Sequence, residues 1–415
     1  MPAKGDQLAH EAAQNVARAS YGKLIAFLAK QTRDVAGAED ALSEAFASAL
    51  VDWPRKGVPD NPEAWLMAVA KRKIIDASRR RRSGEASTGH LQLMAEELEA
   101  MASHERHIPD ERLALMFACA HPAIDPNIRS PLILQTVLGL DAADIGSAFL
   151  VTPAAMGQRL ARAKNKIKVA GIPFRVPERA ELGERLDAVL EAIYAAYTKG
   201  WNDPANAQNN LAEEAIWLGR LIVELLPLEA EALGLLALML FLQSRREARR
   251  SMSGEFVPLA DQDTNLWDRE MISEAETLLL QASGLSIVGR YQLEAAIQSA
   301  HAARRVTGST DWEAIVQLYQ GLTKIIPSSV VTINLAVAIA EVEGPEAGLA
   351  ALPDLAENVE LMEFQPYWAA RAALLSRAGL IGDAAEAYGM AIGLESDPAV
   401  RNFLLAKREA LPKAN

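Results

Sequence analysis

The chain has 415 residues, of which 50% are hydrophobic, and a formal net charge of -12 at pH 7, so it is long enough for two or three domains with buried cores. Its single cysteine, Cys119, excludes an internal disulfide framework and a zinc site built from cysteines, which suits a reducing compartment. The first residues have no apolar core of signal-peptide length, and no run of about 18 uncharged apolar residues occurs, so we expect a cytoplasmic protein that does not span a membrane.

Helical periodicity runs through the whole chain. Apolar residues recur at spacings of three and four, whereas alternating runs rich in Val, Thr and Tyr are missing. The sequence therefore predicts an all-α protein. Its composition divides it into a helical bundle at 1–83, a linker at 84–109, a second helical module at 110–174 and a long helical extension at 182–415.

The first module has two apolar stripes that we expect to pack together. The segment 53–62 carries three prolines and a glycine, which predicts a loop. Asn61 then caps, and Pro62 opens, a third helix whose lysines and arginines are expected to face outward. On this helix Trp65 is interpreted either as a core residue or as a stacking platform. The stripes consist of Tyr21, Leu24, Ile25 and Leu28, and of Val35, Ala38, Leu42, Phe46, Ala49 and Trp53.

The linker at 84–109 combines small polar residues with an acidic run, which either mimics nucleic acid or is simply solvated. Three histidines lie in it or beyond it, but their spacing matches no common metal site, so we expect no bound metal. The acids are Glu96, Glu97, Glu99 and Glu105, and the histidines are His104, His107 and His121.

The second module carries a helix-turn-helix pattern at 132–168. In DNA-binding proteins with this motif, the last helix enters the major groove and reads base edges from its N-terminal residues. The alternative is an ordinary pair of core helices with a solvated basic face. The markers are Asp110 as the cap of the first helix, Gly139 as a helix end, Asp141 as the cap of a short helix, and Thr152 and Pro153 as the cap and first residue of the last helix.

The last helix of this motif has two kinds of polar side chain. Four residues are expected to face the groove, where Gln158 and Arg162 can donate hydrogen bonds to base edges. The other basic residues suit phosphate oxygens. The groove-facing residues are Gly157, Gln158, Ala161 and Arg162, and the phosphate-anchoring residues are Arg159, Lys164, Lys166 and Lys168.

The charge is divided unevenly along the chain. Residues 1–174 carry 22 Lys and Arg against 20 Asp and Glu, or +2, whereas residues 175–415 carry 20 against 34, or -14. Within the first part, positive charge is concentrated at 71–82, with seven basic residues and one acid, and at 159–168, with five basic residues and none. Two separate basic helices indicate two contacts with nucleic-acid phosphates.

The extension ends in two similar units, at 334–355 and 373–398, whose turn glycines Gly344 and Gly382 are 38 residues apart. This spacing predicts tetratricopeptide-like stacking. An acidic cluster at 259–272 is interpreted either as catalytic carboxylates or a cation site, or as acids that cap helices and bond to arginines such as Arg269 and Arg290. We favour the second interpretation because no nucleophile with a base, glycine-rich phosphate loop or metalloprotease motif accompanies the cluster. We therefore expect no enzymatic activity and no cofactor.

The first two modules together resemble the extracytoplasmic-function sigma factors of the sigma-70 family, which are promoter-recognition subunits of bacterial RNA polymerase. The resemblance to sigma-2 is carried by AEDALSEAFASAL at 38–50 and NPEAWLMAVAKRKIIDASRRRR at 61–82, and the resemblance to sigma-4 by the helix-turn-helix. In that family the first of these helices docks on the clamp helices of the beta-prime subunit, which here implies Asp40, Ser43 and Glu44. Sigma-4 further implies a contact with the beta flap.

The same resemblance implies that the segment 53–62 and the helix after it melt and capture the single-stranded minus-10 element, while sigma-4 binds the minus-35 duplex. Such a surface needs cationic side chains along the backbone and a pocket for an extruded base. The family often has an asparagine near the position of Lys73, and this chain does not. We therefore assign no base-specific role to Lys73 from the resemblance. The implied residues are Arg55, Lys56, Asp60, Asn61, Lys71, Arg72, Lys73, Arg79 and Arg80.

The extension is similar to that of a subgroup of these sigma factors, through residues 259–272, 289–302 and 327–341. In the subgroup this region is tetratricopeptide-like and regulates activity in place of a separate anti-sigma protein. The charge division further suggests an intramolecular contact between the extension and sigma-2 or sigma-4. The hypothesis is a sigma factor that binds core RNA polymerase and promoter DNA. Two alternatives stay open: a helix-turn-helix regulator that acts without polymerase, and a tetratricopeptide-like scaffold for protein partners.

Overall fold

The computed structural model describes residues 4–82, 110–149, 151–202, 211–285, 287–355 and 358–412. Across these ranges the regular elements are helices, apart from one isolated β-bridge between Arg250 and Phe256. The prediction of an all-α protein is therefore confirmed. None of the described helices combines the length and the apolar character needed to cross a membrane. The predicted linker, with its four acids and with His104 and His107, lies outside the described residues.

Contacts divide the chain into two compact units, Met1–Leu218 and Gly219–Asn415. The boundary falls within the region that the sequence assigns to the extension, and inside a helix. The helices of the first unit are α1 Lys4–Thr32, α2 Val35–Lys56, α3 Pro62–Arg82, α4 Arg112–Cys119, α5 Pro126–Thr136, α6 Ala142–Ala148, α7 Pro153–Val169, α8 Gly183–Asn202 and α9 Leu211–Leu225, which continues into the second unit.

The first three helices form the predicted bundle. The stripe on α1 and the stripe on α2 are both buried, apart from Tyr21 and Phe46, which are half-buried. Trp65 of α3 is half-buried and packs edge-to-face on the buried Trp53, with ring centroids 5.5 Å apart. This contact supports the interpretation of Trp65 as a core residue.

One prediction for this bundle is wrong: helix α2 does not stop before the proline-rich segment. It continues through Pro54 to Lys56. Trp53 is buried, so tertiary packing holds the last turn helical despite the hydrogen bond that proline removes. The helix ends at Gly57, whose φ of 87° suits glycine and whose N–H bonds to the Trp53 carbonyl. Asn61 then caps α3 as predicted, because its side chain accepts the Ala64 N–H at 3.1 Å.

The helix-turn-helix follows the predicted order, with two differences at its ends. Helix α5 ends at Thr136 rather than Gly139, because Gly139 adopts a φ of 69° and the Leu140 N–H bonds back to the Leu134 carbonyl. Asp110 does not occupy the cap position of α4, which belongs to Glu111; its carboxylate instead binds the backbone N–H and the guanidinium of Arg112. The caps of α6 and α7 are confirmed at Asp141 and Thr152.

Helix α8 and the first part of α9 belong to the same compact unit as the helix-turn-helix. Arg129 of α5 is buried and forms an ion pair with Glu184 of α8 at 3.1 Å. Arg112 of α4 pairs with Glu214 of α9 and lies 4.3 Å from the ring centroid of Trp217. Helices α8 and α9 therefore each supply an acid to a buried arginine of α4 or α5, and Arg112 also keeps Asp110 as a local partner.

The second unit continues with helices that pack mainly on their neighbours along the chain. An irregular segment follows α10, and its Phe256 lies 5.4 Å from Phe403 of the last helix, while Arg250 pairs with Asp397. The beginning and the end of this unit therefore meet. Its helices are α10 Ala230–Ser244, α11 Arg269–Ser283, α12 Arg290–Thr307, α13 Trp312–Ile325, α14 Ser329–Glu343, α15 Pro345–Ala351, α16 Gln365–Arg377, α17 Ile381–Leu394 and α18 Pro398–Glu409.

Two predictions about this unit have different outcomes. Two acids of the cluster cap helices, as the favoured interpretation expects: Asp263 caps a short 3-10 turn, and Asp268 caps α11 through the N–H groups of Glu270 and Met271. Arg290, which was expected to bond to the cluster, pairs with Glu294 of its own helix. The assignment of Gly382 as a turn residue is wrong: it lies inside α17, and the turn before that helix uses Gly379, with a φ of 76°. Nothing in the local sequence distinguishes the two glycines, since both follow small or apolar residues.

A glutamate of α10 caps helix α12 from outside. The carboxylate of Glu231 accepts the backbone N–H groups of Tyr291 and Gln292 at 3.0 and 3.2 Å. These are two of the donors that a helix N-terminus leaves unpaired, and the helix dipole adds to their attraction for an anion. Gly234 permits the close approach, because a Cβ there would lie 2.7 Å from the Gln292 nitrogen.

Replacing Glu231 with alanine is expected to destabilise the second unit by about 1–2 kcal/mol, because the cap and its charge are both lost. Thermal unfolding followed by circular dichroism measures the loss as a lower midpoint. Glu386→Ala is the matched control, since Glu386 is exposed on α17. Equal midpoints for the two variants would show that the carboxylate of Glu231 contributes nothing to stability.

Replacing Gly389 is expected to have the opposite effect on stability. It lies within α17, and a Cβ at this position would have no heavy atom within 4 Å. Gly389→Ala is therefore expected to stabilise the protein by about 0.5–1 kcal/mol, because alanine loses less backbone entropy in a helix. Thermal unfolding measures this gain as a higher midpoint. A lower midpoint would show that the added methyl group does not fit beside its neighbours.

Candidate nucleic-acid and protein interfaces

Helix α7 presents its predicted groove-facing residues to solvent. Its buried residues are Met156, Leu160, Ala163 and Ile167, at spacings of four, three and four. Such a stripe fixes the rotation of the helix against α5 and α6. On the other side, Gln158, Arg159 and Arg162 are exposed, as is Ala161, and Gly157 is half-buried. A cationic face with hydrogen-bond donors is therefore open at the N-terminal half of this helix.

The lysines near the end of α7 are not all on that open face. Lys164 is nearly buried and binds the carboxylate of Glu39 on α2 at 2.5 Å. Lys168 binds Asp34, which caps α2, also at 2.5 Å. Lys166 between them is exposed. The structure thus separates the predicted phosphate-anchoring residues into exposed side chains and two that are already paired.

The environment of Glu39 is unusual for a carboxylate. One of its oxygens, Oε1, is buried without a hydrogen-bond partner, while Oε2 binds Lys164. Burial raises the pKa of Glu39, and the charge of Lys164 offsets only part of that rise. Burial, together with the charge of Glu39, also raises the pKa of Tyr21.

The acidic edge of α2 lies beside this contact. Asp40, Ser43 and Glu44 are all exposed, as a surface for a protein partner requires. Asp40 and Glu44 line a shallow cleft of about 160 Å³ between α2 and α3, which Asp34 and Lys73 also line. Lys73 forms an ion pair with Glu44 at 3.0 Å. Two of the three residues assigned to polymerase and one residue assigned to DNA therefore line the same cleft.

The basic residues of α3 do not all face outward, which corrects the prediction. Lys71 is buried, and its ammonium lies 5.1 Å from the centroid of the Phe27 ring on α1. Its place on the apolar side of the helix explains this, because the long alkyl stem packs into the bundle. Arg72 is exposed and Lys73 is partly exposed. Arg79 and Arg80 lie on the helix, but their side chains are outside the described part of the chain.

The segment before α3 is short and exposed. Asp60 and Asn61 lie in the connection between α2 and α3 and are both exposed. Arg55 and Lys56, which were predicted to be in this loop, occupy the last turn of α2, where positive side chains interact favourably with the helix dipole. Lys56 also binds Asp52, one turn earlier, at 3.0 Å. A cationic turn therefore adjoins the exposed connection.

His121 is held by the backbone rather than by a metal-binding cluster. Its Nδ1 accepts the N–H of Ala123 at 3.1 Å. Burial and the nearby Arg185 and Arg129 lower its pKa. Within the described ranges, no group of three His, Cys, Asp or Glu residues is arranged to hold a metal ion.

Sequence reasoning missed the acids that contact the helix-turn-helix. Glu39 was interpreted only as part of a helix that faces a partner, Asp34 was given no role, and Glu184 and Glu214 were assigned to a separate extension. A signal was present: Arg112 and Arg129 stand among apolar residues in their helices, where an arginine needs a partner from elsewhere in the fold. The identity of that partner was not available from spacing.

Comparisons with known proteins match two parts of the chain. Residues 16–84 match the family described as sigma-70 region 2, which corresponds to most of the α1–α3 bundle. Residues 185–283 match a family of unknown function, DUF6596. An uncharacterized protein of Rhizobium meliloti (strain 1021) is 39% identical over 378 residues, which cover 89% of this chain and 89% of that protein. No solved structure matches the chain.

The bundle of residues 16–84 therefore has both the helices and the sequence of sigma-70 region 2. The long alignment with the Rhizobium meliloti protein extends over both compact units, so the two chains share one family and one arrangement of regions. The chain therefore contains a sigma-70 region 2 domain and belongs to the same family as the Rhizobium meliloti protein.

Proposed function

We propose that the chain is a sigma factor of the extracytoplasmic-function type, which directs RNA polymerase to specific promoters and carries a regulatory extension. The observation that carries this proposal is the combination, in one compact unit, of a sigma-70 region 2 bundle with an exposed acidic edge and a helix-turn-helix whose groove-facing side is open. A DNA-binding regulator needs only the second of these features. The two features together suit a protein that binds polymerase and promoter at the same time.

The proposed roles follow from the exposed side chains. Asp40, Ser43 and Glu44 form a surface for a basic partner, and in this proposal they dock on the beta-prime clamp helices. Gln158 and Arg162 read the minus-35 duplex from the major groove, and Arg159 and Lys166 bind its phosphates. The partner expected for this module on the polymerase is the beta flap.

For the minus-10 element, the proposal uses the basic side chains that remain exposed. Arg72, Arg55 and Lys56 provide cationic contacts for the backbone of the displaced strand, and Asp60 and Asn61 stand in the connection where a base would be held. Arg79 and Arg80, farther along the sequence of α3, are assigned to the same strand. Lys71 is left out because its ammonium is buried against Phe27.

The extension is proposed to be tetratricopeptide-like and to regulate sigma-4. Helix α8, the first helix in the DUF6596 match, bonds directly to the helix-turn-helix through Glu184 and through Glu191, which accepts the Ser130 hydroxyl at 2.5 Å. These contacts involve α5 and leave the exposed side of α7 free. A partner that moves α8 would therefore move the reading helix with it, without covering it.

Run-off transcription with purified core polymerase and the full-length chain tests the function. We expect transcripts that start at defined sites on a subset of templates from a promoter panel, and only when the chain is present. Full-length protein is needed, because a truncation at residue 182 would remove Glu214 and Glu184, which pair with the buried Arg112 and Arg129. Absence of site-specific transcripts on every template would overturn the proposal.

A second measurement separates the two alternative functions. Core polymerase pulled down by the tagged full-length chain supports a sigma factor. Specific DNA binding without retention of polymerase would indicate an independent regulator, which leaves the acidic edge of α2 unused. If the chain neither bound DNA nor retained polymerase, the result would indicate a scaffold built on the helical extension.

A further inference from the structure

The contact between α2 and α7 joins the two modules through two lysine–carboxylate pairs. Lys164 and Glu39 are both largely buried, with side chains 11% and 17% exposed. Lys168 and Asp34 form the outer pair, in which the lysine side chain is 44% exposed and the aspartate side chain is 15% exposed. The inner pair has so little contact with solvent that salt screens it less than an ordinary surface pair. The pairs are therefore part of an interface and not a chance surface contact.

Packing around the pairs shows that the two modules are closely fitted. A Cβ placed on Gly22 of α1 would lie 1.9 Å from the carbonyl oxygen of Val137, at the end of α5. Tyr21 of α1 packs on Gly139, which follows α5: a Cβ placed on Gly139 would lie 3.4 Å from the tyrosine ring. A third ion pair, between Lys30 and Glu111 at 2.6 Å, joins α1 to the start of α4.

We propose that Glu39 and Asp34 form an internal latch that holds Lys164 and Lys168 in a closed state of the chain, and that these lysines reach DNA phosphates only after the latch opens. The proposal rests on the proposed function, since it assumes that α7 is the DNA-reading helix. In the closed state α2 takes the place of a phosphate backbone for two of the cations on that helix.

The latch also affects the polymerase surface. Asp34 lines the same cleft as Asp40 and Glu44, so the acids that hold the latch adjoin the acids that are proposed to dock on polymerase. A basic partner on this edge competes with the two lysines for negative charge. Polymerase binding at α2 and DNA binding at α7 therefore each favour the open state, and each makes the other easier.

The structural part of the latch is tested without DNA or polymerase. Lysine acylation followed by mass spectrometry measures how accessible each ammonium is in the full-length chain. We expect slow modification of Lys164, whose side chain is 11% exposed, and fast modification of Lys166, which is exposed on the same helix. Lys168 is 44% exposed but paired with Asp34, and we expect an intermediate rate for it. In the double variant Asp34→Asn, Glu39→Gln, modification of Lys164 becomes severalfold faster and that of Lys168 becomes faster by a smaller factor, while Lys166 is unchanged.

The double variant is chosen to keep the fold. Asparagine at position 34 still accepts the Gly37 N–H and so preserves the cap of α2, and glutamine at position 39 is nearly isosteric with glutamate. Asp383→Asn with Glu386→Gln, on exposed α17, is the control with the same charge change. Unchanged rates at Lys164 and Lys168 in the Asp34, Glu39 variant would overturn the latch.

A charge exchange provides a second test if the first variant is poorly folded. Glu39→Lys brings two cations together and is expected to speed the modification of Lys168, and adding Lys164→Glu restores the attraction and returns Lys168 to its original rate. A non-additive result of this kind measures the coupling between the two positions. If Lys168 reacted equally in the single and the double variant, no such coupling would exist.

The functional part is tested by DNA binding at several salt concentrations. Two freed lysines are expected to increase the magnitude of the slope of log K against log salt by about 1.8 for duplex DNA, because each phosphate contact contributes about 0.9. An equal slope in the Asp34, Glu39 variant and its control would overturn this step. If neither protein binds DNA while acylation shows the expected exposure, the latch stands and the assignment of α7 as a DNA-reading helix fails.

Discussion

Asp40→Lys combined with Glu44→Gln is expected to abolish promoter-dependent transcription. Both side chains are exposed on the edge of α2 that is proposed to meet a basic surface of polymerase. Like charges brought together at an interface cost several kcal/mol, so the affinity for core polymerase should fall by roughly a hundredfold or more. Glutamine is used at position 44 because a lysine there would face Lys73, which now binds Glu44 at 3.0 Å.

Asp383→Lys with Glu386→Gln, on exposed α17, makes the same charge change away from the proposed surface and is expected to transcribe normally. Polymerase retention and run-off transcription are measured together, with circular dichroism as a check on helix content. If the Asp40, Glu44 variant bound core polymerase as well as the control does, this edge of α2 would not be part of the docking surface.

The second large effect is expected at the reading helix. Arg162→Ala should weaken binding to the preferred minus-35 duplex by about 1–3 kcal/mol and relax the preference for one base pair, because a bidentate arginine contact discriminates by that amount. Gln158→Ala is expected to act in the same way at a neighbouring position. Both side chains are exposed on α7, so neither substitution disturbs the core.

Arg159→Ala is the comparison within the same helix. A phosphate contact carries no sequence information, so its loss should weaken binding to all duplexes alike and reduce the salt slope by about 0.9. Binding to a set of duplexes that differ at one position each gives both readouts. If Arg162→Ala weakened every duplex equally, Arg162 would be a phosphate contact and the orientation of α7 in the groove would be wrong.

Local chemistry made several features of this protein predictable. The cap and proline before α7 and the asparagine before α3 act within a few residues of themselves, so they form the same structure in almost any context. The stripes of α1 and α2 follow from helical geometry alone. The signals that failed were those that depend on packing, such as the helical turn held by Trp53 beyond Pro54.

The sequence by itself determined an all-helical protein, the order of its modules, its resemblance to sigma factors and the side of α7 that faces solvent. Only the tertiary structure decided that Lys164 and Lys168 are paired with α2, that Lys71 is buried, and that α8 belongs with the helix-turn-helix. The physical reason is the range of the interactions. Periodicity and caps depend on neighbours within about one turn of helix, whereas Glu39 and Lys164 are 125 residues apart and meet only when both modules have folded.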